Sequence, residues 1–286
     1  MPELAATASS APRSGAPALL HSDARGYYLW MKRSRLARNV TWLAIGFCSV
    51  LGSRPARAQT DEIQVYTGEL AAPGQFNLTV HANYTPRGRT VPDFPTGIVP
   101  ERSVNGAFEW AYGVSDWFEA GTYLPVYTVT RSGSVLLDGA KLRALFAVPH
   151  AEARRFFYGV NFELSRNSRA WDQSRYGGEI RPIVGARHGA WDFIANPILD
   201  TSFNGLSRLE FAPSARIAYN QGPGWAEAVE YYADFGELRH FTEPEHSLFA
   251  VADRAGKFLD VEAGIGFGLS RASDKVMLKT ILSHTF

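Results

Sequence analysis

Residues 275–286 read KVMLKTILSHTF and close the chain. Val276, Leu278, Thr280, Leu282, His284 and Phe286 share one side of a period-2 register, and Lys275, Met277, Lys279, Ile281, Ser283 and Thr285 share the other. A water-soluble chain more often ends in a few loosely held polar residues than on an apolar ring in mid-strand. The same period recurs upstream. QFNLTVHANY sets Phe76, Leu78, Val80, Ala82 and Tyr84 against Asn77, Thr79, His81 and Asn83. FFYGVNFELSR sets Phe156, Tyr158, Val160, Phe162 and Leu164 against Gly159, Asn161 and Glu163. KFLDVEAGIGFGLS sets Leu259, Val261, Ile265 and Phe267 against Asp260, Glu262 and glycines. One face of each strand is apolar and the other is polar or glycine.

Extended through the chain, this pattern predicts twelve strands, at roughly 75–84, 103–114, 117–129, 140–148, 156–166, 177–187, 191–200, 208–219, 225–235, 247–253, 258–269 and 275–286. The connections alternate. Those at 115–116, 188–190, 221–224 and 254–257 are short and carry Gly or Asp, and the one at 149–155 is somewhat longer. Those at 85–102, 130–139, 167–176, 201–207 and 236–246 are longer and polar. An even number of strands of about ten residues, joined by alternating short turns and long loops, is the pattern of a closed antiparallel barrel that crosses a membrane.

The N-terminal region is of another kind. The 286-residue chain has a net charge of +1, which pools two unlike parts. Residues 1–58 carry eight Lys/Arg and two acids, whereas residues 59–286 carry 21 Lys/Arg and 26 acids. From Met31, a basic stretch (Lys32, Arg33, Arg35, Arg38) precedes a mostly apolar run from Val40 to Leu51, too short for a membrane helix of about 20 residues. Ala56-Arg57-Ala58 then supplies a small-x-small cleavage pattern, so 31–58 reads as a secretory signal peptide with Gln59 as the first mature residue. Residues 1–30, rich in Ala, Ser and Pro, read either as a misplaced start or as a disordered extension. Residues 59–286 form the barrel domain. Cys48, the only cysteine, falls in the signal, which excludes an internal disulfide or a multi-cysteine metal site.

The last strand, ending on Leu282, His284 and Phe286, resembles the C-terminal signature of bacterial outer-membrane barrels. That resemblance implies recognition by the barrel-assembly machinery, a Gram-negative outer-membrane location and contact with outer-membrane lipid. More loosely, the whole mature chain resembles the outer-membrane transporter barrels labelled "MetA pathway of phenol degradation". This resemblance implies passage of small solutes, hydrophobic or aromatic ones among them. Alternation alone does not say which face points outward, so a water-soluble β-sandwich or lipocalin-like barrel with its apolar face inward stays open at this stage.

If the apolar face meets lipid, the opposite face lines a lumen and carries the charges. Hairpin pairing places Lys141 opposite Glu163, Asp192 close to Arg216 and Arg216 close to Glu230, with Arg181 on the same face. Such a network either filters solutes by charge or fills the barrel and holds its shape. The second reading suits twelve strands better, since eight-stranded barrels are filled and 16-stranded ones are open. Catalysis finds little support. His81 alone faces the lumen, among Asn77, Thr79 and Asn83, and the sequence has no G-x-S-x-G, H-E-x-x-H or phosphate-binding glycine loop. No cofactor or metal site is expected, and the scattered basic residues do not suggest nucleic acid. The readings that remain are a narrow channel or transporter, a structural or surface-interaction barrel, and a lipid-modifying enzyme.

Overall fold

A computed structural model describes residues 61–241 and 244–286. The signal peptide, its cleavage site at Ala56, Ala58 and Gln59, and residues 1–30 lie outside these. Fourteen strands follow in order: β1 (Phe76–Arg87), β2 (Val104–Ser115), β3 (Phe118–Val129), β4 (Val135–Ala147), β5 (Phe156–Asn167), β6 (Tyr176–His188), β7 (Trp191–Asn196), β8 (Leu199–Thr201), β9 (Glu210–Phe211), β10 (Ser214–Gly222), β11 (Trp225–Asp234), β12 (Glu245–Arg254), β13 (Asp260–Gly268) and β14 (Val276–Thr285). β7 and β8 are two parts of one wall strand, interrupted at Pro197. β9 and β10 are likewise parted at Pro213, because proline has no N–H to give the ladder. The wall is therefore twelve antiparallel strands. It closes where β1 pairs with β14 in the register Val80↔Leu282, and the Phe286 N–H donates to Phe76 O at 2.8 Å.

The side chains settle which face is which. Leu142, Phe156, Leu164, Leu259, Ile265 and Phe267 are exposed on the outside, whereas Glu109, Glu163, Arg181, Arg216, Glu230 and Lys279 are buried within. This polarity is the reverse of a soluble barrel and is stable only with lipid around it. The protein is a membrane-spanning β-barrel, with short turns at one end and longer loops at the other. Those two ends are called the turn end and the loop end below.

Two expectations need correction. β4 begins at Val135, five residues earlier than its alternation suggested, because Val135-Leu136-Leu137 shows no period. The connection before it is a tight hairpin, with Thr130 N–H donating to Ser134 O at 2.9 Å, and not a long loop. Asp260 lies on the inner row with Glu262, as its register with Ser283 requires, but at the rim of the turn end, where it is exposed and its carboxylate accepts the Gly256 N–H at 2.9 Å.

Candidate functional site

The lumen is not empty. Residues 61–75 precede the first strand and run inside the barrel from mid-lumen to the turn end, with Asp61, Glu62, Ile63, Val65 and Tyr66 buried. Side chains of the wall hold this segment at nearly every step. Lys141 pairs with Asp61 at 2.8 Å. Arg181 reaches Glu62 at 3.1 Å, and the Tyr123 hydroxyl donates to the same carboxylate at 3.0 Å. Lys279 donates to Ile63 O at 3.2 Å. Asn196 brackets Tyr66, accepting its N–H at 2.7 Å and donating to its carbonyl at 3.2 Å, as a neighbouring strand would. The Tyr66 and Tyr123 hydroxyls meet at 2.5 Å, and the Arg181 guanidinium lies 4.3 Å from the centre of the Tyr66 ring.

Apolar contacts complete the packing. Val65 and Tyr66 join Leu145, Phe157, Ile183 and Ile194 in one cluster, and Ile63 joins Ala218, Ala228, Phe249 and Val251 in another. Phe157 and Phe249 break the polar rule of the inner face, and each faces a glycine on the next strand, Gly185 and Gly266. A Cβ at either glycine would overlap the ring, so glycine makes the space that the aromatic fills. Where the segment leaves the barrel, the Ala71 N–H donates to Glu119 at 2.5 Å. A side chain at Gly113 would strike the carbonyl oxygens of Ala71 and Ala72.

Around this segment the charges alternate in sign. Arg143 lies between Glu109, at 2.9 Å, and Glu119. Arg216 bonds Glu230, Asp253 and Glu262, and Lys279 bonds Glu230 and Glu262. His81, fully buried, bonds Glu109 at 3.0 Å.

The loop half differs. Above Glu62, Ile63 and Gln64 lies a cavity of ≈290 Å³. Phe94, Ile98, Trp171, Phe249 and Met277 give it apolar wall. Ten carboxylates line it, among them Glu179, Asp200, Glu245 and Asp274, against two basic side chains, Lys141 and Arg181. Glu163, Glu179, Asp200 and Glu210 are direct cross-strand neighbours, a row of four like charges in register. Glu163 takes Lys141 at 3.4 Å and Glu179 takes Arg181 at 2.7 Å, while Asp200 has no hydrogen-bond or ion-pair partner among the described residues. One guanidinium, that of Arg89, is shared by Asp93, Glu245 and Asp274. In the loop, burial raises the Asp274 carboxyl above its ordinary value, and hydrogen bonding from Arg89 opposes the rise.

Of the residues singled out from sequence, Lys141 and Glu163 meet at 3.4 Å, although the register sets Lys141 opposite Ser165 and Glu163 opposite Arg143. Arg216 and Glu230 are directly opposite and paired. Asp192 does not approach Arg216 as expected. The register places Arg216 against Ile194 and Asp192 against Ala218, and Asp192 pairs instead with Arg187 at 3.4 Å. Leu282, His284 and Phe286 lie on the outer face, with the His284 and Phe286 rings edge to face at 4.5 Å. Sequence reasoning missed the segment itself. Its signal was present, since Ile63 and Val65 alternate with Glu62, Gln64 and Tyr66. Among the described residues no group of His, Cys, Asp and Glu is arranged to hold a metal ion.

No protein-family model matches the chain, and no curated protein matches it in sequence. Solved structures do match in shape. An outer-membrane channel from Pseudomonas putida F1 superposes with a TM-score of 0.54 at 10% identity, over 79% of this chain and 100% of that one. The NanC porin gives 0.48 at 7% identity, over 73% and 98%. The KdgM porin, in complex with disordered oligogalacturonate, gives 0.46 at 10% identity, over 74% and 99%. The first of these likenesses places the fold among outer-membrane barrels.

Proposed function

We propose that this barrel is a narrow channel for small solutes, restricted in its turn half by residues 61–71 and selective for cations in its loop half. The observation that carries the proposal is the cavity of ≈290 Å³ floored by Glu62, Ile63 and Gln64, with ten carboxylates on its wall against Lys141 and Arg181, and with one further cation, Arg89, shared among Asp93, Glu245 and Asp274. An excess of carboxylates over cations in a narrow polar opening lowers the energy of a cation and raises that of an anion. The similar barrel from Pseudomonas putida is described as a channel, which agrees with this reading at the level of the fold. Phe94, Trp171 and Met277 on the same wall support the finer suggestion of hydrophobic or aromatic solutes, which the phenol-pathway resemblance raised.

A purely structural barrel is the competing reading, favoured by the packed turn half. Planar-bilayer recordings separate the two. The wild-type barrel is expected to give a small, cation-selective conductance in a salt gradient. Deleting residues 62–71 raises the conductance several-fold, and Glu179→Gln with Asp200→Asn moves the reversal potential toward zero. A barrel that never conducts, with or without the segment, sinks the channel reading.

We also infer that the signal is removed between Ala58 and Gln59. Asp61 already lies inside the lumen, so cleavage there leaves only two residues ahead of it. N-terminal sequencing of protein extracted from membranes reads this directly, and recovery of any residue before Gln59 overturns it.

A further inference from the structure

On the turn end, at the rim of the barrel, the connection between β4 and β5 lies against the end of β6. The register Phe156↔Ala186 and the Arg187 N–H donated to Arg155 O at 2.7 Å hold the two together. Ala153, Arg154, Arg155, Arg187, His188 and Gly189 line a shallow open dip of ≈450 Å³. Three arginines and a histidine face it, and no carboxylate is among its lining residues.

These cations are not alike. Arg187 is engaged: its guanidinium donates to the carbonyl oxygens of Ala151 and of Arg154 (3.1 Å), pairs with Asp192 at 3.4 Å and lies over the Phe157 ring at 4.2 Å. Arg154 uses only its Nε, donated to Pro149 O at 2.7 Å. Arg155 and His188 are exposed, with no side-chain partner among the described residues. The nearby acids do not answer them. Asp192 and Glu69 are directed to Arg187, and Glu152 lies 3.6 Å from His150.

The level of the dip identifies what it would take. Phe156 follows Arg155 directly, and Trp191 is the cross-strand neighbour of His188. Phe156 and Tyr158 are exposed rings 6.3 Å apart, and Trp191 stacks on Phe193 at 6.5 Å. An outward aromatic band of this kind marks the depth where acyl chains give way to head groups. We propose that Arg154, Arg155 and His188 bind the phosphate of an anionic phospholipid in the periplasmic leaflet, whose chains lie along Phe156, Tyr158 and Phe193. Guanidinium groups suit phosphate because their N–H donors match its oxygens in pairs. The proposal rests on the placement of the barrel in a bilayer and not on its being a channel.

Native mass spectrometry of the whole barrel, released from micelles containing phosphatidylglycerol or phosphatidylcholine, tests it. Wild type is expected to keep phosphatidylglycerol in preference. Arg155→Gln weakens that adduct, and the Arg154→Gln/Arg155→Gln pair weakens it roughly tenfold or more. Arg131→Gln, an exposed arginine at the loop end, leaves it unchanged. Arg155 makes no side-chain contact, so its variant keeps the fold, which heat-modifiable migration verifies. Equal retention of the two lipids, or an adduct indifferent to the paired substitution, overturns the proposal. A parallel titration with inorganic phosphate separates the sources. Arginine-dependent binding of phosphate without retention of phosphatidylglycerol also overturns the lipid assignment.

Discussion

Arg216 and Asp200 sit on adjacent strands of the same wall, both facing the lumen, and their surroundings are opposites. Arg216, in the turn half, has carboxylates from β11, β12 and β13 around it. Asp200, in the loop half, has Glu179 on one side and Glu210 on the other. Buried charges that hold a structure together are arranged with signs alternating, because each desolvated group must recover its solvation from an opposite partner. Like charges placed directly across strands cost stability. The turn half thus has the chemistry of a protein interior, and the loop half carries more carboxylates than cations.

Substitutions can break or sharpen that contrast. The largest effect is expected from Lys279→Met, since Lys279 is fully buried between Glu230 and Glu262 and holds the carbonyl of Ile63. Removing Lys279 leaves Glu230, Glu262 and Asp253 to share the single charge of Arg216, and the loss of one buried partner is expected to cost about 3–5 kcal/mol, read as a shifted urea midpoint in lipid vesicles. A loss below about 1 kcal/mol would mean that water reaches this half freely.

Deleting Phe286 comes next, and it asks whether the turn end carries information as well as packing. Placing a Phe ring in lipid is worth about 1.5–3 kcal/mol. Refolding yield in detergent should fall modestly, by no more than that transfer explains, while the folded barrel recovered from cells should fall much further if the terminal signature is read during assembly. Equal losses in the two measurements leave Phe286 a packing role alone.

Asp200→Asn should have the smallest effect, with the opposite sign. Removing the middle charge of an in-register acidic row is expected to leave stability unchanged or raise it by up to about 1 kcal/mol. A clear loss in the same urea titration would mean that Asp200 belongs to a structural network, and the distinction between the halves would fall.

The wall of this protein was legible because a period of two is a local property. Each strand shows its own alternation, and the charges that lipid would refuse are largely kept out of the apolar rows, which can be seen without any knowledge of partners. Val135–Leu137 was the exception, since three apolar residues in succession carry no phase. Which way the rows face also lay beyond alternation, because a soluble barrel and a membrane barrel share the same period. Only closure of β1 on β14, with Phe267 and Leu142 left outside, decides it.

By itself, then, the sequence determined the strand count, the alternation of turns and loops, and the set of charges on one face. The tertiary structure decided who meets whom. A two-residue difference in register separated Asp192 from Arg216 and set Arg143, not Lys141, across from Glu163. The passage of residues 61–75 through the lumen also belongs to the tertiary structure. Asn196 and Tyr66 are 130 residues apart in the chain, and only a closed wall gives the segment a surface on every side.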